Sequence, residues 1–542
     1  MTPLDVKSMN GNQLLELAHS VRGKILHVVS SNGGHLAASL GAVEIAIALL
    51  RAFDTPADKI LWDVGHQAYA WKILTGRKEG FSTLRKHGGL SGFPNPSESE
   101  HDAFVAGHAG SALAAALGIA AARDRIGGGH VVAVVGDASI VNGVSLEALC
   151  NCASITGRLI VILNDNSLSA PKKPFFESLG MSCIGPIDGH DLKELDSALM
   201  AAKKADRPVL LHVTTTKGKG FPPAENDPAA WHGVGPFDID NALNGGPAPD
   251  EKENTWSDVF CEAMVQAARK DDKICAVVAA MRDGTGLSEF AKEFPGRFFD
   301  VGICEEMAVA FAAGLAKSGL KPVVAIYSTF LQRAIDQIQH DVCLQGLPVV
   351  FAVDRAGCVG ADGFTHHGLY DIALLRPLLG MSILSPASAE EMKEALQNAI
   401  AAGGPVAIRY PRGRIPLSAE TVDIKDGMAE SKIEVSILAV GEQVSKAKKV
   451  KALLSDEGIS SEIIPVGKIK PFQFAKKDGV LSATIENGVV SGGFGESIGA
   501  DLKFGWPDSL VAHGTVEELE KEHGFDSVSI ASKIIRVLKD GR

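Results

Sequence analysis

Short unbroken apolar runs alternate with stretches of helical spacing along most of this chain. His130 to Val135 (HVVAVV) and Arg158 to Leu163 (RLIVIL) are two such runs, and Gly143 to Ile155 between them has apolar residues at helical spacing. A strand with protein on both faces needs an apolar side chain at every position, whereas a half-exposed strand alternates. The pattern therefore predicts parallel strands joined by helices that cover both faces of a sheet. The same grammar returns at Ile274 to Ala280, Lys321 to Tyr327 and Leu347 to Asp354, and again at Glu434 to Val440, Ser460 to Val466 and Gly479 to Ile485.

Two stretches interrupt it. Asp238 to Glu253 is rich in Gly, Pro, Asn and acid, the composition of a linker, and Ile415 to Lys432 is polar after a Tyr-Pro-Arg-Gly turn. The reading is an α/β protein of three doubly wound, mostly parallel-sheet domains, at 1–240, 254–416 and 430–542. Ligands of such sheets sit beyond the carboxyl ends of the strands, so the residues just past each apolar run are the first candidates for chemistry.

Composition narrows the function. Lys plus Arg is 53 against 65 for Asp plus Glu, a net charge of -12, which argues against a nucleic-acid binder. No run approaches a membrane span, and the start Met1-Thr2-Pro3-Leu4-Asp5 lacks a signal-peptide pattern, so the expected location is cytoplasmic. The eight cysteines are scattered, and the one close pair, Cys150 and Cys152, has no matching second pair, so they read as reduced thiols rather than a zinc site.

Gly136-Asp137-Ala138 comes directly after the first run, and Asn164-Asp165-Asn166 directly after the second. Two adjacent parallel strands would deliver Asp137 and Asn166 to one sheet edge, as hard oxygen ligands suited to magnesium, with Gly136 letting a phosphate approach the backbone. Taken alone, Gly-Asp reads as a strand-to-helix turn with the Asp as a helix cap; the paired, strand-ended spacing reverses that and favours the metal. Further along, Glu305 and Glu306 open a helical stretch after a short apolar strand. An acid there is also what the helix dipole favours, so the residues alone leave both readings open.

Several strings then match one family: Ser31-Asn32-Gly33-Gly34-His35, Asp63-Val64-Gly65-His66-Gln67-Ala68-Tyr69, Gly89-Leu90-Ser91-Gly92-Phe93, Pro186-Ile187-Asp188-Gly189-His190-Asp191, Tyr327-Ser328-Thr329-Phe330-Leu331-Gln332-Arg333, Asp354-Arg355-Ala356-Gly357, Gly360-Ala361-Asp362-Gly363 and Tyr410-Pro411-Arg412-Gly413. Together they resemble the 1-deoxy-D-xylulose-5-phosphate synthases, transketolase-like enzymes that use thiamine diphosphate and Mg2+, over nearly the whole chain. The resemblance implies a transketolase-like fold and a homodimer. It implies decarboxylative condensation of pyruvate with D-glyceraldehyde 3-phosphate, a step that feeds isoprenoid and thiamine biosynthesis. It also implies roles. Asp137, Asn166 and the Leu168 carbonyl would bind the metal. Gly136, Ala138, His66, His108, Lys217 and Phe330 would bind the cofactor. Glu305 would share a proton with its aminopyrimidine ring. His35 and His66, and His366 or its neighbour His367, would serve catalysis, with His232 a weaker candidate. Tyr327, Arg333, Arg355, Asp362 and Arg412 would complete the substrate side, the two arginines Arg355 and Arg412 gripping the phosphate.

The chain departs from the family pattern in four places. Ala138 stands for the last glycine of Gly-Asp-Gly, and Glu305-Glu306-Met307-Ala308-Val309 stands for Glu-Gln-His-Ala-Val. Gly107-His108-Ala109-Gly110-Ser111 stands for Gly-His-Ser-Ser, and the segment after Asn166 is short. Two other functions share the same motif: ketol transfer or acyloin synthesis with another acceptor, and cofactor binding without catalysis.

Overall fold

The structure is a computed structural model that describes residues 2–167, 170–246, 254–415 and 432–540. It divides into two compact units, Met1–Asp250 and Glu251–Arg542.

In the first unit, five parallel strands lie in the order Lys59–Trp62, Val131–Gly136, Leu159–Asp165, Val209–Thr214, Ser182–Asp188. The two apolar runs at 130–135 and 158–163 are its central strands, fully buried along their apolar length. Alternate side chains of these strands enter different cores. Val132, Val134, Ile160 and Ile162 pack in the cluster that includes Ile25 and Leu49, from the helices Gly11–Asn32 and Val43–Ala52. Val131, Ala133, Val135, Val161 and Leu163 pack with Leu113 and Leu149, from the helices Ser111–Ile126 and Gly143–Ile155. That double burial is why the runs show no polar alternation. A further ladder pairs Gly34–His35 with Gly233–Val234 antiparallel.

The stretch with linker composition begins as part of this unit. Asp238 caps the short helix Ile239–Leu243, accepting from the Asn241 amide at 2.7 Å, and Ala242 is buried in the core. The pattern misses it because a single buried alanine in a polar context leaves no periodicity.

The second unit holds two sheets. One is seven-stranded, in the order Lys468–Lys470, Ser382–Leu384, Val406–Arg409, Val350–Asp354, Lys321–Tyr327, Ile274–Val278, Phe298–Asp300. All its pairings are parallel except the first, where Lys468–Lys470 runs antiparallel to Ser382–Leu384. The other is four-stranded and parallel, in the order Ser461–Val466, Val435–Val440, Leu481–Val489, Leu502–Trp506. Most of the polar stretch at 415–432 lies outside the described residues.

Candidate active site

Four neighbouring strands of the first unit carry the motifs at their carboxyl ends. Lys59–Trp62 leads into Asp63 to His66, Val131–Gly136 into Asp137, Leu159–Asp165 into Asn166, and Val209–Thr214 into Lys217. Gly136 pairs in register with Asn164, so the two motifs emerge side by side. Asp137 is buried, and one of its oxygens accepts from the Ser167 amide at 3.1 Å and from the Ser167 hydroxyl. The carboxylate thus touches the residue next to Asn166. The Asn166 amide oxygen is itself buried, with no hydrogen-bond partner among the described residues. A buried acceptor left unmet costs roughly 1–3 kcal/mol, which a cation would recover. A Cβ added to Gly136 would meet nothing within 4 Å, so the backbone here faces open space. No three His, Cys, Asp or Glu side chains among the described residues form a metal cage. The donor set is instead one carboxylate and one amide oxygen, which fits magnesium that completes its shell with diphosphate oxygens. Leu168, the expected third ligand, lies outside the described residues.

Asp63 ties the loop that bears His108 to the turn that leads to His66. Its buried carboxylate accepts from the Gly110 amide at 2.9 Å and the Ala112 amide at 3.1 Å, which fixes the loop bearing His108 at the start of the helix Ser111–Ile126. Gly110 there has φ 89, and a Cβ on it would fall 2.2 Å from the Asn142 side-chain oxygen. On the other side of Asp63, Val64 adopts φ 59, an outlier for a β-branched residue, and turns the chain toward His66. Ser39 donates to the His66 carbonyl at 2.8 Å. The ring centroids of His35 and His66 lie 5.8 Å apart, those of His35 and His232 5.7 Å and those of His66 and His232 5.1 Å. Phe93 packs on His35 at 5.3 Å. Burial, reinforced by the charge of Lys217, drives the His232 imidazole down to about 4, so it is neutral at physiological pH. The sequence ranks His232 as the weakest of these histidines, yet it sits against both stronger ones.

In the second unit the Phe298–Asp300 strand leads to Glu305, the first residue of the helix Glu305–Lys317. Glu305 is buried, 3% exposed. Burial pushes Glu305 up; Arg333 opposes this and Glu306 reinforces it. Arg333 lies 3.5 Å from Glu305 and 4.0 Å from the half-buried Glu306. Met307 points to solvent, half-exposed.

Tyr327 and Phe330 stack at 5.6 Å with planes 12° apart, and His366 meets Phe330 edge-on at 5.7 Å. The Arg355 guanidinium lies 4.0 Å over the Tyr327 ring and 2.9 Å from the fully buried Asp354. Arg412 faces Asp362 at 3.6 Å. Tyr327, Arg355 and Arg412 lie at or just beyond the ends of three neighbouring strands, so this sheet also gathers its candidates at one edge. His367 differs from His366. It is 2% exposed, accepts from the Val359 amide at 3.2 Å and bonds the Ala512 carbonyl at 2.9 Å, so both of its nitrogens are committed to the fold.

Three family models match this chain in order: 1-deoxy-D-xylulose-5-phosphate synthase at 1–174 and 169–215, the transketolase pyrimidine binding domain at 252–417 and the transketolase C-terminal domain at 428–530. 1-Deoxy-D-xylulose-5-phosphate synthase 1 of Geobacter sulfurreducens is 43% identical, over 98% of this chain and 95% of its own. The chain belongs to the 1-deoxy-D-xylulose-5-phosphate synthase family. The synthase of Syntrophomonas wolfei is 41% identical over 98% and 95% of the two chains. The solved transketolase of Campylobacter jejuni aligns over 97% of this chain and 100% of its own, at 19% identity and a TM-score of 0.46. The synthase model matches in two pieces, and the break between them falls in the short segment after Asn166. The alignment with the Geobacter synthase runs to 610 positions against the 542 residues here, as an omitted segment requires.

Proposed function

We propose that this synthase-family chain binds magnesium through Asp137, Asn166 and the Leu168 carbonyl. With that cation it binds the diphosphate of thiamine diphosphate, and it joins pyruvate to D-glyceraldehyde 3-phosphate with loss of CO2. The reading is carried by one observation: an unmet, buried amide oxygen on Asn166 beside the Asp137 carboxylate at the same sheet edge. Thiamine diphosphate, when bound, supplies the nucleophilic carbon and the electron sink for decarboxylation.

The chain's own residues supply the rest. Gly136 and Ala138 leave room for the diphosphate, and Lys217 offers it a positive charge. Glu305, whose burial favours the protonated carboxyl, holds a proton for the aminopyrimidine ring. Phe330 gives that ring a flat apolar wall. His35, His66 and His108, with the neutral His232 beside the first two, donate hydrogen bonds to the oxygen of the reacting carbonyl and shuttle its proton. Arg355 and Arg412 take the acceptor's phosphate by charge-assisted hydrogen bonds, and Tyr327, Arg333, Asp362 and His366 line the acceptor side. His366 is preferred to His367 because its neighbour is bonded on both nitrogens. The proposal extends to a cytoplasmic homodimer on the family resemblance; no helix among the described residues is long and apolar enough to cross a membrane.

The test is product analysis. Purified protein with thiamine diphosphate and magnesium should form 1-deoxy-D-xylulose 5-phosphate from pyruvate and glyceraldehyde 3-phosphate. A ketol transfer from a sugar phosphate instead, or an acyloin with no use of the phosphorylated acceptor, would overturn the reading. So would saturable cofactor binding without turnover.

A further inference from the structure

We propose that Asn487 is a positioning residue for the phosphate end of the acceptor, through the two strand ends that carry Arg355 and Arg412. This rests on the assignment of those arginines to the phosphate. Asn487 lies on the strand Leu481–Val489 of the four-stranded sheet, whereas both arginines lie beyond strands of the seven-stranded sheet. It is 8% exposed and its amide is bonded at both ends. The side-chain oxygen accepts from the Cys358 amide at 3.1 Å and from the Trp506 indole at 2.8 Å, and the side-chain nitrogen donates to Glu442 at 3.0 Å. Its backbone carbonyl accepts from the Arg409 guanidinium at 2.7 Å, and Arg409 also pairs with Asp371 at 2.8 Å.

These contacts reach both arginines by short covalent paths. Cys358 is three residues beyond Arg355, in a turn where Arg355 itself has φ 56 and Gly357 φ 86. A Cβ on Gly357 would lie 2.2 Å from the Asn487 amide, so the turn is shaped to receive that side chain. Arg409 is three residues before Arg412, and the Ala356 amide donates to the Tyr410 carbonyl at 3.0 Å, which ties the two strand ends to each other. A left-handed φ at a residue as bulky as arginine persists only where its surroundings over-determine it. Asn487, bonded to the turn on one side and to the adjoining strand on the other, is placed to do that.

The amide is matched to the task. It must accept two N–H donors and donate to a carboxylate at once, which an Asn side chain does and an aspartate, leucine or alanine does not. Its loss should therefore loosen the spacing of the two guanidinium groups without removing either charge.

The experiment compares acceptors with and without the phosphate, using the full chain with thiamine diphosphate and magnesium. Asn487→Ala should raise KM for D-glyceraldehyde 3-phosphate tenfold or more. KM for pyruvate and the efficiency with unphosphorylated D-glyceraldehyde should stay near the parent values. A purely structural defect would lower both acceptors in proportion, and an unchanged ratio between them overturns the proposal. If Asn487→Ala does not fold, Trp506→Phe removes one donor to the same oxygen. It should shift the ratio two- to threefold in the same direction, and no shift overturns the proposal. Arg412→Ala separates the two levels of the argument. If it leaves the phosphate preference intact, the assignment of the arginines fails and this inference with it. If it abolishes the preference while Asn487→Ala does not, only the inference fails.

Discussion

Asn166→Ala should give opposite outcomes with and without ligand, because the residue's amide oxygen is buried and unmet among the described residues. In the ligand-free protein, removing an unsatisfied acceptor spares its desolvation penalty. The variant should therefore unfold within about 1 kcal/mol of the parent, not at the roughly 1–3 kcal/mol loss expected when a bonded buried amide is removed. With thiamine diphosphate and magnesium at about 100 times Kd, the parent gains about 2.7 kcal/mol. Outer-shell changes at metal sites weaken affinity roughly 10–100-fold, and a direct ligand should match the upper value. A loss of about 100-fold leaves only about 0.4 kcal/mol of ligand stabilisation. The difference, about 2.3 kcal/mol, corresponds to roughly 5 °C of lost thermal shift at about 2 °C per kcal/mol, the figure for a unit the size of Met1–Asp250. Scanning calorimetry of both proteins, alone and with cofactor and metal, measures all four values. A variant that loses several degrees without ligand and keeps the full ligand-induced shift would show Asn166 to be a structural residue.

Glu305→Gln should leave thiamine diphosphate binding measurable by calorimetry while cutting turnover by about 10²–10⁴, the usual worth of a positioned general acid or base; near-parent turnover would remove Glu305 from the chemistry. His366→Ala should lower turnover at little cost in stability, whereas His367→Ala should lower the unfolding temperature, because it strips partners from the Val359 amide and the Ala512 carbonyl. Burial pushes the Glu486 carboxyl up from 4.5 to about 7, against the pull of the Gly495 and Phe494 amides and of Arg409. A folded value above the unfolded one means that the stabilisation is fully present below about 4.5 and is lost as pH rises through about 7. The shift is worth about 3 kcal/mol, so urea unfolding of the parent relative to Glu486→Gln should show that loss between those limits, and parallel pH profiles would contradict it.

The central strands are legible because both of their faces are buried: Val131 to Val135 and Leu159 to Leu163 carry no polar residue to interrupt the pattern. The edge strand Ser182–Asp188 is only half-buried and holds Gly185 and Pro186, so it leaves no such run. Lys468–Lys470 is illegible for another reason: three residues with two lysines form a strand only because Ser382–Leu384 is there to pair with. The proposed metal ligands Asp137 and Asn166 stand out in the sequence because each comes directly after its strand. The choice between His366 and His367 does not, since adjacent identical side chains differ only in what the fold sets against them. Asn487 gives no signal at all. Its partners Cys358, Arg409, Glu442 and Trp506 come from four separate elements or turns, and nothing in local spacing brings them together.

The antiparallel strand Lys468–Lys470 also decides what can be cut from this protein. A fragment ending at 415 would keep the strands from Ile274 to Arg409 but would strip the cover from Ser382–Leu384, leaving a row of bare amides and carbonyls at a sheet margin. Such a margin invites another chain to complete it. The fragment is therefore a candidate for self-association rather than a free-standing module.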